Sequence, residues 1–139
     1  NGQQIRDWLY VGDHCEAINI ILLKGTPGEV YNIGSSNEIR NIEIASFICK
    51  LLDEKFPKRN NQKVKSYYDL INFTKDRPGH DYRYSIDSSK LKNELGWEAK
   101  VKFEDGILKT INWYINNQDW LSTIFSKDYE NWFKIQYEK

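Results

Sequence analysis

Residues 75–87 read KDRPGHDYRYSID. Arg77, His80 and Arg83 lie among Asp76, Asp81 and Asp87 around a Pro78-Gly79 turn. The run is too charged for a core strand, yet it gathers many hydrogen-bond donors on one turn. An arginine suits a phosphate because its planar fork donates two parallel, charge-assisted hydrogen bonds. Two more polar residues belong to the same binding inventory. Arg6 stands in a strand-like start, and Asn41 opens a helix, whose first turn carries unbonded N–H groups and a partial positive charge. Each residue also has a plain structural reading. Arg6 pairs with Asp7 or Asp13; Asn41 is an N-cap; His80 is a surface turn residue. Asp76, Arg77 and Asp81 then form a solvated ion-pair cluster worth roughly 0–1 kcal/mol. The residue pattern leaves both readings open.

Catalytic motifs are absent from the chain. There is no G-x-G-x-x-G or Walker loop and no G-x-S-x-G elbow. Gly25 and Gly28 are spaced like two glycines of a cofactor loop, but they follow a helix rather than a strand. None of the nine tyrosines has a lysine four residues later, so a Tyr-x-x-x-Lys acid/base pair is missing too. Cys15 and Cys49 sit in apolar, helical runs and read as free thiols of a reducing compartment. With His14 and His80 they do not make a zinc set. No catalytic or metal-binding residue is assigned.

The elements that must position these residues follow from composition and periodicity. The 139 residues, 40% hydrophobic and 14% aromatic, suffice for one folded domain. Lys+Arg and Asp+Glu are 20 each, a balance that argues against a nucleic-acid partner. No run reaches the ~18 apolar residues of a membrane span, so the expected location is cytoplasmic. The chain contains no methionine and begins Asn-Gly-Gln-Gln, which points to a piece of a longer protein.

A strand is expected over 4–11, then a helix capped by Asp13, with Glu16 completing a capping box, that runs to Lys24 and stops at Gly25. That helix is apolar on most sides and should be buried on more than one face. A strand over 29–34 leads through a turn at 35–37 to a helix from Asn41 to about Phe56, with Ile44, Ile48, Leu51 and Leu52 inward. Residues 57–66 read as an exposed loop and 70–74 as a strand. Asp87 caps a short helix closed by Gly96, and a last long helix covers about 104–117, with Ile107, Leu108, Ile111 and Ile115 inward. Aromatics in the tail, among them Trp120, Phe125, Trp132 and Tyr137, imply packing. The order is that of a mixed α/β domain.

Three stretches carry a resemblance: GQQIRDWLYVGDHCEAI, GEVYNIGSSNEIRNIEI and DRPGHDYRYSIDSSKLKNELGW. Together they resemble the C-terminal part of the dTDP-glucose 4,6-dehydratases, nucleotide-sugar members of the extended short-chain dehydrogenase/reductases. The likeness runs from Gly2 to about Tyr137. R-D-W-x-Y-V occurs in several nucleotide-sugar enzymes; D-R-P-G-H-D-x-R-Y is closer to the dehydratases. The loop at 57–66 is longer than the family pattern.

The resemblance implies an α/β C-terminal substrate-binding domain over 1–139, with at most the edge of a Rossmann sheet. It places the NAD-binding domain, the Tyr-x-x-x-Lys pair and the dehydration acids upstream, outside this chain. The family oxidises C4 of the sugar with bound NAD, eliminates water across C5–C6 and returns hydride to C6. Carried over by position, Arg6 and Arg77 would hold the diphosphate of a dTDP-sugar and Asn41 would hydrogen-bond the substrate. Asp76, Arg77, Pro78, Gly79 and His80 would line the pocket, and Tyr137 would close over the nucleotide. The chain alone would be inactive, and the full-length enzyme a homodimer through its N-terminal domain. Alternatives are a sister UDP-sugar dehydratase, epimerase or decarboxylase, and a free-standing nucleotide-sugar binding module.

Overall fold

The computed structural model describes residues 2–57, 64–124 and 132. Two compact units, residues 1–106 and 107–139, divide it, with the boundary inside one helix. The first unit contains β1 (Ile5–Asp7), α1 (Val11–Lys24), β2 (Glu38–Arg40), α2 (Asn41–Lys55), a short 3-10 turn (Tyr67–Leu70) and α3 (Ser89–Leu95). Helix α4 (Phe103–Asn116) begins in it, and α5 (Gln118–Ile124) belongs to the second unit.

The helices fall close to where periodicity places them. α3 closes on Gly96, which takes the left-handed conformation at φ +71°. The Asp87 carboxylate accepts from the Ser89 N–H (2.9 Å) and so caps this helix, one residue before the backbone N-cap. In α4 the inward face holds, with Ile111 buried and Ile107, Leu108 and Ile115 partly covered. The second unit carries Trp113 edge-on to Trp120, their centroids 5.0 Å apart, so part of the expected aromatic packing occurs within the tail itself.

The strands differ from expectation. β1 pairs antiparallel with β2, in the register Ile5 with Arg40 and Asp7 with Glu38. Residues 29–34 form no strand, and Val30 stands 77% exposed. Nor do residues 70–74, where Leu70 and Phe73 are exposed. Strand propensity depends on a partner and a half-buried surface, and neither segment has both.

α1 holds two corrections. It starts at Val11, so Asp13 lies inside its first turn and Tyr10 is the N-cap. The Asp13 carboxylate is buried and accepts from the backbone N–H groups of Lys100 (3.0 Å) and Val101 (2.8 Å). Glu16 pairs with Lys100 rather than closing a capping box. The helix is also covered on one side only. Ala17 joins Leu91 and Trp97 in the buried core, flanked by Ile20, Ile21, Tyr31 and Ile33. Val11, Ile18, Leu22 and Leu23 remain exposed along the opposite stripe, Leu22 at 79%. Contiguous apolar surface of this kind binds amphiphiles. The chain should therefore enhance the fluorescence of a hydrophobic dye, and Leu22→Glu with Leu23→Glu should remove most of the signal. A dye-silent wild type would contradict this.

Among the described residues no helix is long and apolar enough to cross a membrane.

Candidate functional site

The DRPGH turn is placed by β1. Ile5 N–H donates to Tyr82 O (2.8 Å), and Tyr84 N–H donates to Ile5 O (3.1 Å). The chain leaving the turn thus runs beside β1, with a parallel bridge between Ile5 and Arg83. On the other side of β1, Asn41 N–H donates to Gln4 O (3.0 Å) and Ile42 N–H to Gly2 O (2.9 Å). These bonds bring the start of α2 against the start of β1. They also fill the first amides of α2, so this helix N-terminus does not offer them to an anion, contrary to the expectation from sequence. Asn41 is the first helical residue rather than the N-cap, which is Arg40. Its side-chain amide makes no hydrogen bond among the described residues and faces a cavity.

That cavity, about 260 Å³, is lined by Gln4, Asn41, Phe73, Lys75, Asp76 and His80 among others. Three of the expected site residues, Asn41, Asp76 and His80, therefore converge on it. Pro78 and Gly79 form the exposed tip of the turn, and Gly79 is left-handed at φ +68°, a conformation other L-residues rarely hold. Tyr137 lies outside the described residues.

The two arginines are not equivalent. Arg6 Nη1 donates to Ile5 O (2.7 Å) and Tyr82 O (3.5 Å), and Nη2 to Asp81 O (3.0 Å) and His80 Nε2 (2.9 Å). Its guanidinium also stacks over the Tyr84 ring, 4.3 Å from the centroid. All four terminal N–H groups of Arg6 are committed, and only Nε–H is left over. Its pairing with Asp7 or Asp13 does not occur. Arg77 is the reverse case: exposed, with its guanidinium in no hydrogen bond or ion pair among the described residues. The ion-pair cluster with Asp76 and Asp81 is likewise not formed. Asp76 accepts from His80 Nδ1 (2.6 Å) and Gln4 Nε2 (2.7 Å), and Asp81 accepts from the Tyr84 hydroxyl.

The electrostatics agree with this arrangement. The His80 bond, above all, holds the Asp76 carboxyl below its usual value. The hydrogen bond to Asp81 pushes the Tyr84 phenol up, while Arg6 and Arg77 both pull it down, so both cations act on one neighbourhood.

Sequence reasoning passed over Gln4 and Asp7. Gln4 is buried and reaches Asp76 across 72 positions of chain, a contact no local pattern signals. Asp7 lies beside Arg6 but points the other way. Its carboxylate accepts from Ser35 N–H (2.9 Å), Ser35 Oγ (2.7 Å), Ser36 N–H (3.3 Å) and Asn37 N–H (2.9 Å). It locks the 35–37 turn and hence β2.

The described residues do not fit NAD. Their sheet is two antiparallel strands, with none of the parallel βαβ geometry and glycine turn that hold a dinucleotide. Among them there is also no cluster of His, Cys, Asp and Glu able to hold a metal ion.

Comparison with known proteins agrees with the motifs. The chain is 48% identical over 129 residues to a dTDP-glucose 4,6-dehydratase of Escherichia coli, covering 93% of this chain and 35% of that enzyme. It is 49% identical to one from Xanthomonas campestris, covering 93% and 36%. The chain thus spans little more than a third of the length of these curated relatives. Among solved structures, the dTDP-glucose 4,6-dehydratase of Bacillus anthracis in complex with NAD superposes with a TM-score of 0.70 at 43% identity, over 86% of this chain and 34% of that one. The Streptomyces venezuelae enzyme of the same name also gives 0.70, at 35% identity and the same coverage. The family profile described as GDP-mannose 4,6 dehydratase matches residues 1–110, and the chain belongs to that family.

Proposed function

We propose that residues 1–139 are the substrate-binding part of an NAD-dependent dTDP-glucose 4,6-dehydratase, a cytoplasmic lyase of the extended short-chain dehydrogenase/reductases. The full-length protein that carries this chain converts dTDP-glucose to dTDP-4-keto-6-deoxyglucose. NAD binds, and the homodimer forms, through segments outside this chain. The observation that carries the reading is the convergence of Asn41, Asp76 and His80 on one cavity beside an unbonded Arg77. Arg77 grips the diphosphate, and Asn41 and the 76–80 turn hold the ligand beside it. The relatives named dTDP-glucose 4,6-dehydratase, at 48–49% identity, support the choice of substrate.

Product analysis tests it. The full-length protein, given dTDP-glucose and NAD, should form a keto sugar with its alkali-induced absorbance, and the 139-residue chain alone should form none. An epimerised or decarboxylated sugar would point to a sister enzyme. Keto sugar formed in proportion to the isolated chain would place a catalytic centre within it and overturn the reading.

A further inference from the structure

Arg6 is always protonated and has only donors to offer, so the His80 Nε2 it contacts at 2.9 Å carries a lone pair and no hydrogen. His80 then bears its proton on Nδ1, which donates to Asp76 Oδ1 at 2.6 Å. The second Asp76 oxygen accepts from Gln4 Nε2 at 2.7 Å. Gln4 is 8% exposed and its backbone carbonyl is tied to the start of α2, so its amide is the fixed end of the chain of bonds. Asp76 and His80 are more open, with side chains 50% and 21% exposed.

We propose that Gln4, Asp76 and His80 form a positioning relay for the Arg6 guanidinium: Gln4 aims the Asp76 carboxylate, Asp76 holds His80 in its Nδ1–H tautomer, and the bare Nε2 fixes Arg6. Which ring nitrogen of a histidine carries the proton is set by the bond the other one makes. Without Asp76 nothing in this turn selects Nδ1–H. An Nε2–H tautomer would set donor against donor at Arg6, and the guanidinium would swing away from Asp81 O and the Tyr84 face. Gln4 and Asp76 are positioning residues here, because they act on Arg6 only through His80. That Arg6 and the neighbouring Arg77 serve a diphosphate rests on the proposed function; the relay itself does not.

Nitrogen-15 spectra of the histidine rings test the relay in the full-length protein that carries this chain, with His80 assigned by loss of its signals in His80→Gln. At neutral pH wild-type His80 should show a protonated Nδ1 and a bare, pyridine-type Nε2. Gln4→Met, which keeps the shape of the side chain and removes the donor, should give a mixture of tautomers. It should also weaken dTDP binding about 3- to 10-fold, the effect expected of one net hydrogen bond. Arg77→Ala should lose dTDP affinity and keep the wild-type His80 spectrum, a split that a merely folded or unfolded variant does not produce. Should Gln4→Met fail to fold, Asp76→Ala is measured the same way and should also lose the Nδ1–H signature. Wild-type His80 carrying its proton on Nε2, or on both nitrogens, would overturn the relay. A folded Gln4→Met or Asp76→Ala with the wild-type spectrum would overturn it as well. If wild type shows the Nδ1–H tautomer but binds no dTDP, the relay stands and the proposed function falls.

Discussion

Arg77→Ala, made in the full-length protein that carries this chain, is expected to weaken dTDP binding roughly 10- to 150-fold, the loss of about 1.5–3 kcal/mol that a charge-assisted hydrogen bond supplies. The expectation rests on what Arg77 lacks within the chain. Asp76 is taken by His80 and Gln4, and Asp81 by Tyr84, so neither acid neutralises the Arg77 guanidinium. Removing the side chain breaks no hydrogen bond or ion pair of the described residues, and folding should be unchanged. Arg77→Lys should also lose affinity, because an ammonium keeps the charge without the planar fork. Lys92→Ala, which removes a surface cation paired with Glu98, is the control for bulk charge and should bind as wild type. Titration calorimetry with dTDP measures all three. Arg77→Ala within about twofold of wild type, ~0.4 kcal/mol, would end the diphosphate reading. Arg6→Ala is a poorer probe. Arg6 bonds to Asp81 O, Tyr82 O and His80, so its removal loosens the turn that carries Arg77 as well.

Gly34→Ala is expected to destabilise the chain by about 2–4 kcal/mol, combining overpacking with strained hydrogen bonds. A Cβ at this position would lie 2.5 Å from Asp7 Oδ2 and 2.9 Å from two carbons of Ile86. The Asp7 carboxylate cannot step aside without releasing the Ser35 and Asn37 amides and the Ser35 hydroxyl. Asp7→Ala should cost a similar amount by stranding those same donors, whereas Asp7→Asn retains one acceptor and should cost less. The double variant should be less destabilised than the sum of the two, since both act on one carboxylate. Urea unfolding followed by tryptophan fluorescence checks this. A Gly34→Ala midpoint equal to that of wild type would show that the 34–37 turn yields to the methyl group, and that the Asp7 contact is slack.

Helices α2, α3 and α4 were legible in the sequence because their signals are local. Ile44, Leu91 and Ile111 each fall on an apolar face read at helical spacing, and Asp87 and Gly96 mark the ends of α3 within a residue. The dehydratase-like site was legible as a run of residue types, with Asn41, Asp76 and His80 named before their cavity was seen. What each polar group does there was decided by the tertiary structure. A carboxylate beside a helix start looks the same in sequence whether it caps that helix, as expected for Asp13, or holds the backbone at Lys100 and Val101, as it does. Arg6 and Arg77 carry the same fork, but only the path of the chain through Asp81 and Tyr82 surrounds one with acceptors and leaves the other bare. The strands follow the same division. β2 pairs with β1 through residues more than thirty positions apart, while the more strand-like 29–34 finds no partner. Helical hydrogen bonds close within four residues, so local sequence determines them. Strand pairing and the satisfaction of buried or charged groups depend on which distant carbonyls and amides the fold brings within 3 Å, a matter of global geometry on which no single segment carries the information.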